Sequence, residues 1–279
     1  MGPAPSDWED PRRVLARHGL HPKRGFSQNF LVARGVVDRI VAAVAPEPGE
    51  LVVELGPGLG TLTSGLLRSG ARVLAVESDP DMRAVLEAEL GRQVRLEVAA
   101  GDARTVDLPA LAAREGRPVA VAGNLPYAVT GAILRHVVER HTSVSRAVLM
   151  VQKEVRDRLL ASAGTKAYGA LTVFVRAAYV VEPVMIVKPG SFHPAPKVSS
   201  AVVRLRSRPR PEARLDEAFR SVVRAVFDAR RKTLRNALLP LFASPADVDR
   251  AIATAGVDGA VRGERLGLAE LDRLADALR

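Results

Sequence analysis

The 279-residue chain contains no cysteine. That excludes disulfides, thiolate nucleophiles and cysteine-ligated zinc together. Five scattered histidines offer no metal-ligand spacing either, so no metal is expected. Long apolar runs are also missing: none approaches the ~18 residues of a membrane-crossing helix. The opening MGPAPSDWEDPRR lacks the apolar stretch of a signal peptide and is too acidic for a transit peptide, which points to a cytoplasmic protein without a membrane partner. No internal repeat or low-complexity tract is present. With 47% hydrophobic residues, the chain has material for one large core, or for a large and a small one.

Acidic residues are comparatively few, 31 against 41 Lys and Arg, which leaves a formal charge of +10. The excess is concentrated. Residues 12–39 carry seven basic residues against one acid and residues 204–235 carry eleven against four, so the rest of the chain is net acidic. Two basic blocks around a neutral-to-acidic middle suit a polyanionic partner; the plainer alternative is a solvated basic surface.

In Leu51–Gly60, LVVELGPGLG, apolar residues interrupted only by Glu54 read as a buried parallel strand. Gly56, Gly58 and Gly60 follow before a helical run from Leu62 to Leu67. Glycine at such a turn lets a ligand lie against the backbone. The dinucleotide fingerprint is G-x-G-x-x-G, whereas this loop reads G-x-G-x-G. A loop with no pyrophosphate to cradle, and a carboxylate near the strand end to face a cationic methionine end, suits S-adenosylmethionine; a nucleotide site and a generic α/β turn are the alternatives. Arg72–Glu77 reads as a second strand, with Glu77 at its carboxyl end placed to accept from both ribose hydroxyls. Asp79-Pro80 starts the next helix, and Val94–Val98 reads as a third strand. Asp102 beyond it either takes the exocyclic amine of a bound adenine or caps the following segment.

A fourth strand, Val119–Ala122, runs into GNLPY at Gly123–Tyr127. The amine of adenine is a poor nucleophile because its lone pair is delocalised into the ring. A site that methylates it must hold both N–H bonds with acceptors and let the nitrogen pyramidalise. The side-chain oxygen of Asn124 and a carbonyl of Leu125 or Pro126 meet that need, with proline fixing the loop, and Tyr127 gives a purine a surface to lie on. Ala147–Val151 reads as a fifth strand, and Leu171–Val181 is too β-branched to assign between helix and strand. Lys188–Leu205 is a proline-stiffened loop returning as an antiparallel strand. Phe192 in that loop is either packing or the second face of a base sandwich, where stacking is worth roughly 1–3 kcal/mol. Residues 206–215 form a proline and arginine linker, and the remainder reads as helical.

Taken in order, FSQNFL from Phe26, ELGPGLGTLT from Glu54, VESD from Val76, GDA from Gly101, GNLPY from Gly123, QKEV from Gln152, KAYG from Lys166, FHPAPKVSSAVVRL from Phe192 and RRKTLRN from Arg230 give a chain that resembles the ribosomal RNA adenine N6,N6-dimethyltransferases. The last run and the residues around Lys166 are more like the small-subunit (16S) members than the large-subunit ones. His193 and Ala195 stand where family members often carry further proline. The resemblance implies transfer of methyl groups from S-adenosylmethionine to N6 of two adjacent adenines in a hairpin near the 3′ end of 16S rRNA, during small-subunit biogenesis, by a monomer. It implies cofactor contacts at Asn29, Leu31, Gly56, Glu77, Asp102 and Asn124, and catalysis at Asn124, Leu125, Pro126 and Tyr127 with Phe192 stacking. Arg24, Lys197, Arg230, Arg231, Lys232 and Arg235 are the candidates for gripping RNA phosphates. A large-subunit rRNA methyltransferase, a ribosome-assembly or transcription factor of the same fold, and a DNA adenine methyltransferase are the rival readings.

The expected architecture is α/β. A Rossmann-like methyltransferase domain, residues 1–205, has a mostly parallel sheet with one antiparallel end strand and a peripheral arm at 1–22. A small α-helical RNA-binding domain follows at 206–279, the two making a basic cleft.

Overall fold

A computed structural model describes residues 9–23 and 28–279. Helix α1 (Pro11–Arg17) is capped by Asp10, whose side chain accepts from the Arg12 amide. After β1 (Phe30–Leu31), helix α2 (Arg34–Val44) turns Val37, Ile40 and Val44 inward at helical spacing. Strands and helices then alternate through β2 (Leu51–Leu55), α3 (Thr61–Arg68), β3 (Arg72–Glu77), α4 (Pro80–Leu90), β4 (Leu96–Ala100), α5 (Leu108–Glu115), β5 (Val119–Asn124), α6 (Thr130–Glu139) and β6 (Val144–Gln152). The chain continues through α7 (Lys153–Leu159), α8 (Ala170–Ala178), β7 (Tyr179–Val187), β8 (Phe192–His193) and β9 (Ser200–Ser207). It ends with α9 (Glu217–Asp228), α10 (Leu234–Leu238), α11 (Pro245–Ala255) and α12 (Leu268–Asp276).

The described residues divide into two compact units, one running up to Arg156 with Glu182–Ser207, the other made of Asp157–Val181 with Arg208–Arg279. The first holds a seven-stranded sheet of order β4-β3-β2-β5-β6-β9-β7. Neighbours from β4 to β6 pair parallel, and β9 pairs antiparallel with β6, as the Rossmann-like reading requires. β7 completes the edge outside β9. Successive strands leave β2 toward β3 on one side and β5 toward β6 on the other. The crevice at a sheet's carboxyl edge therefore falls between β2 and β5, where ligands bind in open α/β sheets. These two strands approach closely: a Cβ on Gly123 would stand 2.6 Å from the Leu55 carbonyl oxygen. Gly123→Ala is accordingly expected to destabilise the protein by about 2–3 kcal/mol, measured by urea denaturation.

Four departures from the sequence reading have local causes. β4 starts at Leu96 because Val94 lies in the turn after α4, where it is 82% exposed. Helix α5 went unread; its cues are the Asp107 cap, which accepts from the Ala110 amide, and Pro109 in the first turn. Leu171–Val181 is both things in succession, since Val173 and Ala177 face inward one helical turn apart and the chain switches to strand at Tyr179. The arm is docked where it is described: Val14 and Leu15 of α1 are buried with Phe30, Leu59 and Met82.

In the second unit, α9 turns Phe219, Val222, Val223 and Val226 into a core shared with α10, α11 and α12. Phe174 meets Phe219 edge to face, ring centres 6.2 Å apart. Residues 157–181, which the sequence reading places in the larger domain, belong here because Val173 and Ala177 join this core. Among the described residues, no helix is long and apolar enough to cross a membrane.

Candidate active site

Four polar side chains stand at the carboxyl ends of four adjacent parallel strands: Asp102 after β4, Glu77 at the end of β3, Glu54 in β2 and Asn124 at the end of β5. They line one cavity of about 290 Å³, together with Asn29, Leu31, Gly56 and the Leu125–Tyr127 lip. The glycine loop and the lip are neighbours, since a Cβ on Gly56 would lie 3.8 Å from Pro126 Cδ.

The loop follows from local chemistry. Gly58 has φ +57°, a left-handed conformation costly for residues with a Cβ, and its amide donates to Glu77 Oε2 at 3.0 Å. The other carboxylate oxygen, Oε1, accepts from the Asp79 amide at 2.9 Å. Two backbone donors therefore fix the Glu77 carboxylate while one lone pair on each oxygen stays available.

Glu54 is 1% exposed and is flanked in the neighbouring strands by Ala75 and Ala122, whose small side chains leave it room. Burial pushes its carboxyl up to about 8, and the charge of Glu77 adds to the effect. Glu54 Oε2 and the buried Thr63 Oγ1 have no hydrogen-bond partner among the described residues. An orphaned carboxylate oxygen in a cavity wall calls for a donor or a cation.

At the lip, Asn124 Nδ2 donates to the Asn29 carbonyl at 3.1 Å, which leaves Oδ1 as an acceptor that takes no hydrogen bond from the described residues. Sequence alone left the second acceptor open between two carbonyls. Pro126 O is already engaged, by Thr130 Oγ1 at 3.0 Å and the Val129 amide at 3.2 Å. Leu125 O accepts nothing from the described residues, so it is the available one. Tyr127 is held at its rim by a 2.7 Å hydrogen bond between its hydroxyl and Ser200 Oγ.

Asp102 does what one of its two sequence readings proposed: Oδ1 accepts from the Arg104 amide at 2.8 Å, closing the turn after β4. It also pairs with the Arg104 guanidinium, which holds its carboxyl below the usual range. Of the two readings of Phe192, the structure takes packing. Phe192 pairs with Leu31 across β1 and β8, is 4% exposed and lies in the core with Val37 and Ile40, so its ring offers no free face for a base.

The candidate phosphate ligands divide. Arg230 is tied to Glu264 at 2.8 Å, and Arg235 is bidentate to Asp249. Arg231, Lys232 and Lys197 are exposed, and their side chains make no hydrogen bond or ion pair with the described residues. Arg24 lies outside the described residues, as does Phe26. Sequence reasoning missed Arg104, although it stands only two residues from Asp102, and Ser200, which lies 73 positions from Tyr127 and has no short-range signal; it read Asp79 only as a helix start. No group of three or more His, Asp or Glu able to hold a metal occurs among the described residues.

A model of the family described as ribosomal RNA adenine dimethylase matches residues 19–276. The chain is 46% identical over 281 residues to a ribosomal RNA small subunit methyltransferase A of Anaeromyxobacter dehalogenans (strain 2CP-C), covering 97% of this chain and 98% of that protein. It is 46% identical over 275 residues to the protein of the same name from Myxococcus xanthus (strain DK1622), with 97% and 95% covered. Among solved structures, the 23S rRNA methyltransferase ErmE is 30% identical with a TM-score of 0.67, over 90% of this chain and 99% of that one. A dimethyladenosine transferase from Plasmodium falciparum is 25% identical with a TM-score of 0.73, over 88% and 95%.

Proposed function

The chain belongs to the ribosomal RNA adenine dimethylase family, and from that premise we propose that it dimethylates N6 of two adjacent adenines near the 3′ end of small-subunit rRNA, using S-adenosylmethionine. It is an rRNA adenine dimethyltransferase of the small-subunit kind, by its 46% identity to proteins of that name. The observation that carries the reading is the pair of open acceptors, Asn124 Oδ1 and Leu125 O, at the lip beside the glycine loop.

The residues present fit the cofactor. The free lone pairs of Glu77 suit two ribose hydroxyls, and the orphaned Glu54 oxygen suits a cationic methionine end. Asp102 would accept the adenine amine by sharing its carboxylate with Arg104; exposed ion pairs are worth about 0–1 kcal/mol, so the rearrangement is cheap. When bound, S-adenosylmethionine supplies an electrophilic methyl group on sulfur. The protein's part is to present the target amine to it. An extruded adenine lies against Tyr127, and its two N–H bonds point to Asn124 Oδ1 and Leu125 O, so the lone pair is directed at the methyl. No strong base is needed, because the nitrogen becomes acidic only after methylation. Extrusion from a stack costs a few kcal/mol and least in a loop, which favours a hairpin.

Purified protein incubated in parallel with unmethylated small subunits and with large subunits, each with isotopically labelled S-adenosylmethionine, is expected to yield N6,N6-dimethyladenosine in 16S rRNA and none in 23S rRNA, read by nucleoside mass spectrometry. Labelling of 23S rRNA alone would support the likeness to ErmE instead, and N6-methyladenosine as the final product would overturn dimethylation. Replacing Arg231 and Lys232 together by alanine is expected to weaken rRNA binding and flatten its log–log salt dependence by about one to two units. Arg235→Ala, which removes a guanidinium already bound to Asp249, is expected to do less.

A further inference from the structure

We propose that Asp79 is a positioning residue for the methyl transfer, locking the chain segment that orients Asn124 to the strand end that carries Glu77; this rests on the methyl-transfer reading of the site. Asp79 is fully buried, yet it draws donors from far along the chain. Its Oδ1 accepts from Lys23 Nζ at 2.8 Å and from the Asp81 amide at 3.0 Å, and its Oδ2 accepts from Gln28 Nε2 at 2.8 Å. Gln28 closes the arrangement, since its Oε1 accepts from the Lys23 backbone amide at 2.9 Å. Capping α4 requires one acceptor, which Ser, Thr or Asn would supply equally well. A buried carboxylate joined to two residues more than fifty positions away does more than cap a helix.

What it holds lies on both sides of the reaction. The Asp79 amide donates to Glu77 Oε1, the carboxylate assigned to the ribose. Gln28 is followed by Asn29, whose carbonyl accepts from Asn124 Nδ2 and so decides which way the Asn124 amide faces. A shift at Gln28 moves the Asn29 carbonyl and with it the acceptor that must meet the adenine amine. Misplacement of a reacting group by about 1 Å costs on the order of a hundredfold in rate.

The test uses the full chain, S-adenosylmethionine and unmethylated small subunits. Asp79→Asn keeps the cap but removes one of the two carboxylates that face Lys23, the other being Asp81. Gln28→Leu keeps both the cap and the Lys23–Asp79 ion pair and removes the two hydrogen bonds of the Gln28 side chain, the one donated to Asp79 Oδ2 and the one accepted from the Lys23 amide. Gln28→Leu is expected to lower kcat about tenfold with KM for S-adenosylmethionine changed by less than about twofold. Asp79→Asn, which keeps the backbone amide that donates to Glu77, is expected to lower kcat similarly, again with KM for S-adenosylmethionine changed by less than about twofold. In an Asn124→Ala background, Gln28→Leu is expected to cost nothing further in kcat, since it acts through Asn124. Unchanged kcat in Gln28→Leu, a loss of thermal stability without the kcat-against-KM split, or losses that multiply with Asn124→Ala would each overturn the proposal. Should the unaltered chain fail to bind S-adenosylhomocysteine or to methylate the particles, the methyl-transfer reading itself falls, and the proposal with it.

Discussion

Replacing Asn124 by alanine is expected to lower kcat for adenine methylation on the order of a hundred- to a thousandfold, while the dissociation constant for S-adenosylhomocysteine changes by no more than about threefold. The reason lies in when the interaction matters. The adenine nitrogen is planar in the free base and must become tetrahedral as the methyl arrives, so an acceptor holding one of its N–H bonds out of the ring plane is used chiefly in the transition state. Asn124 Oδ1 is free for this because Nδ2 is committed to the Asn29 carbonyl. Asn124→Asp retains an acceptor at the site but repels that carbonyl, and is expected to fall between the wild type and alanine. Single-turnover rates with saturating cofactor, beside calorimetric binding of S-adenosylhomocysteine, make the distinction. Losses in affinity that match the losses in rate would show Asn124 to be a cofactor ligand only.

The second large effect concerns stability. Glu54 keeps its proton in the folded chain up to about pH 8, whereas the unfolded chain releases it near 4.5. Between those values the folded state binds one more proton than the unfolded state, so stability falls as pH rises. The full contribution is present below about pH 4.5 and is lost by pH 8; one buried carboxyl over that window amounts to roughly 5 kcal/mol at most. Glu54→Gln keeps the shape without the charge. The wild type and this variant are expected to diverge steadily in urea denaturation from pH 5 to pH 8, the variant being the more stable at the upper end. Parallel curves would show that Glu54 is ionised throughout. Burial also pushes Asp79 up, but hydrogen bonds from Lys23, Asp81 and Gln28 outweigh it and hold it low, so it acts below this window. A cation bound against Glu54 favours its ionised form. Binding of S-adenosylhomocysteine near pH 7 is therefore expected to release protons, detectable by calorimetry in buffers of different ionisation enthalpy.

The amino-acid sequence by itself determined the strand–glycine–helix unit around Gly56 and the placing of Glu77, Asp102 and Asn124 at successive strand ends. Each depends on residues close along the chain: an apolar run sets the strand, and glycine or proline sets the turn after it. Tertiary structure decided the rest. It engaged the Pro126 carbonyl with Thr130 and Val129 and left Leu125 open, and it buried Phe192 against Leu31 across some 160 residues of intervening chain. It brought Lys23 and Gln28 to Asp79, and drew residues 157–181 into the helical unit. A backbone's course is governed by neighbours that travel with it, but whether a lone pair is occupied, a ring covered or a buried charge matched depends on which distant segment arrives beside it, and no local pattern encodes that.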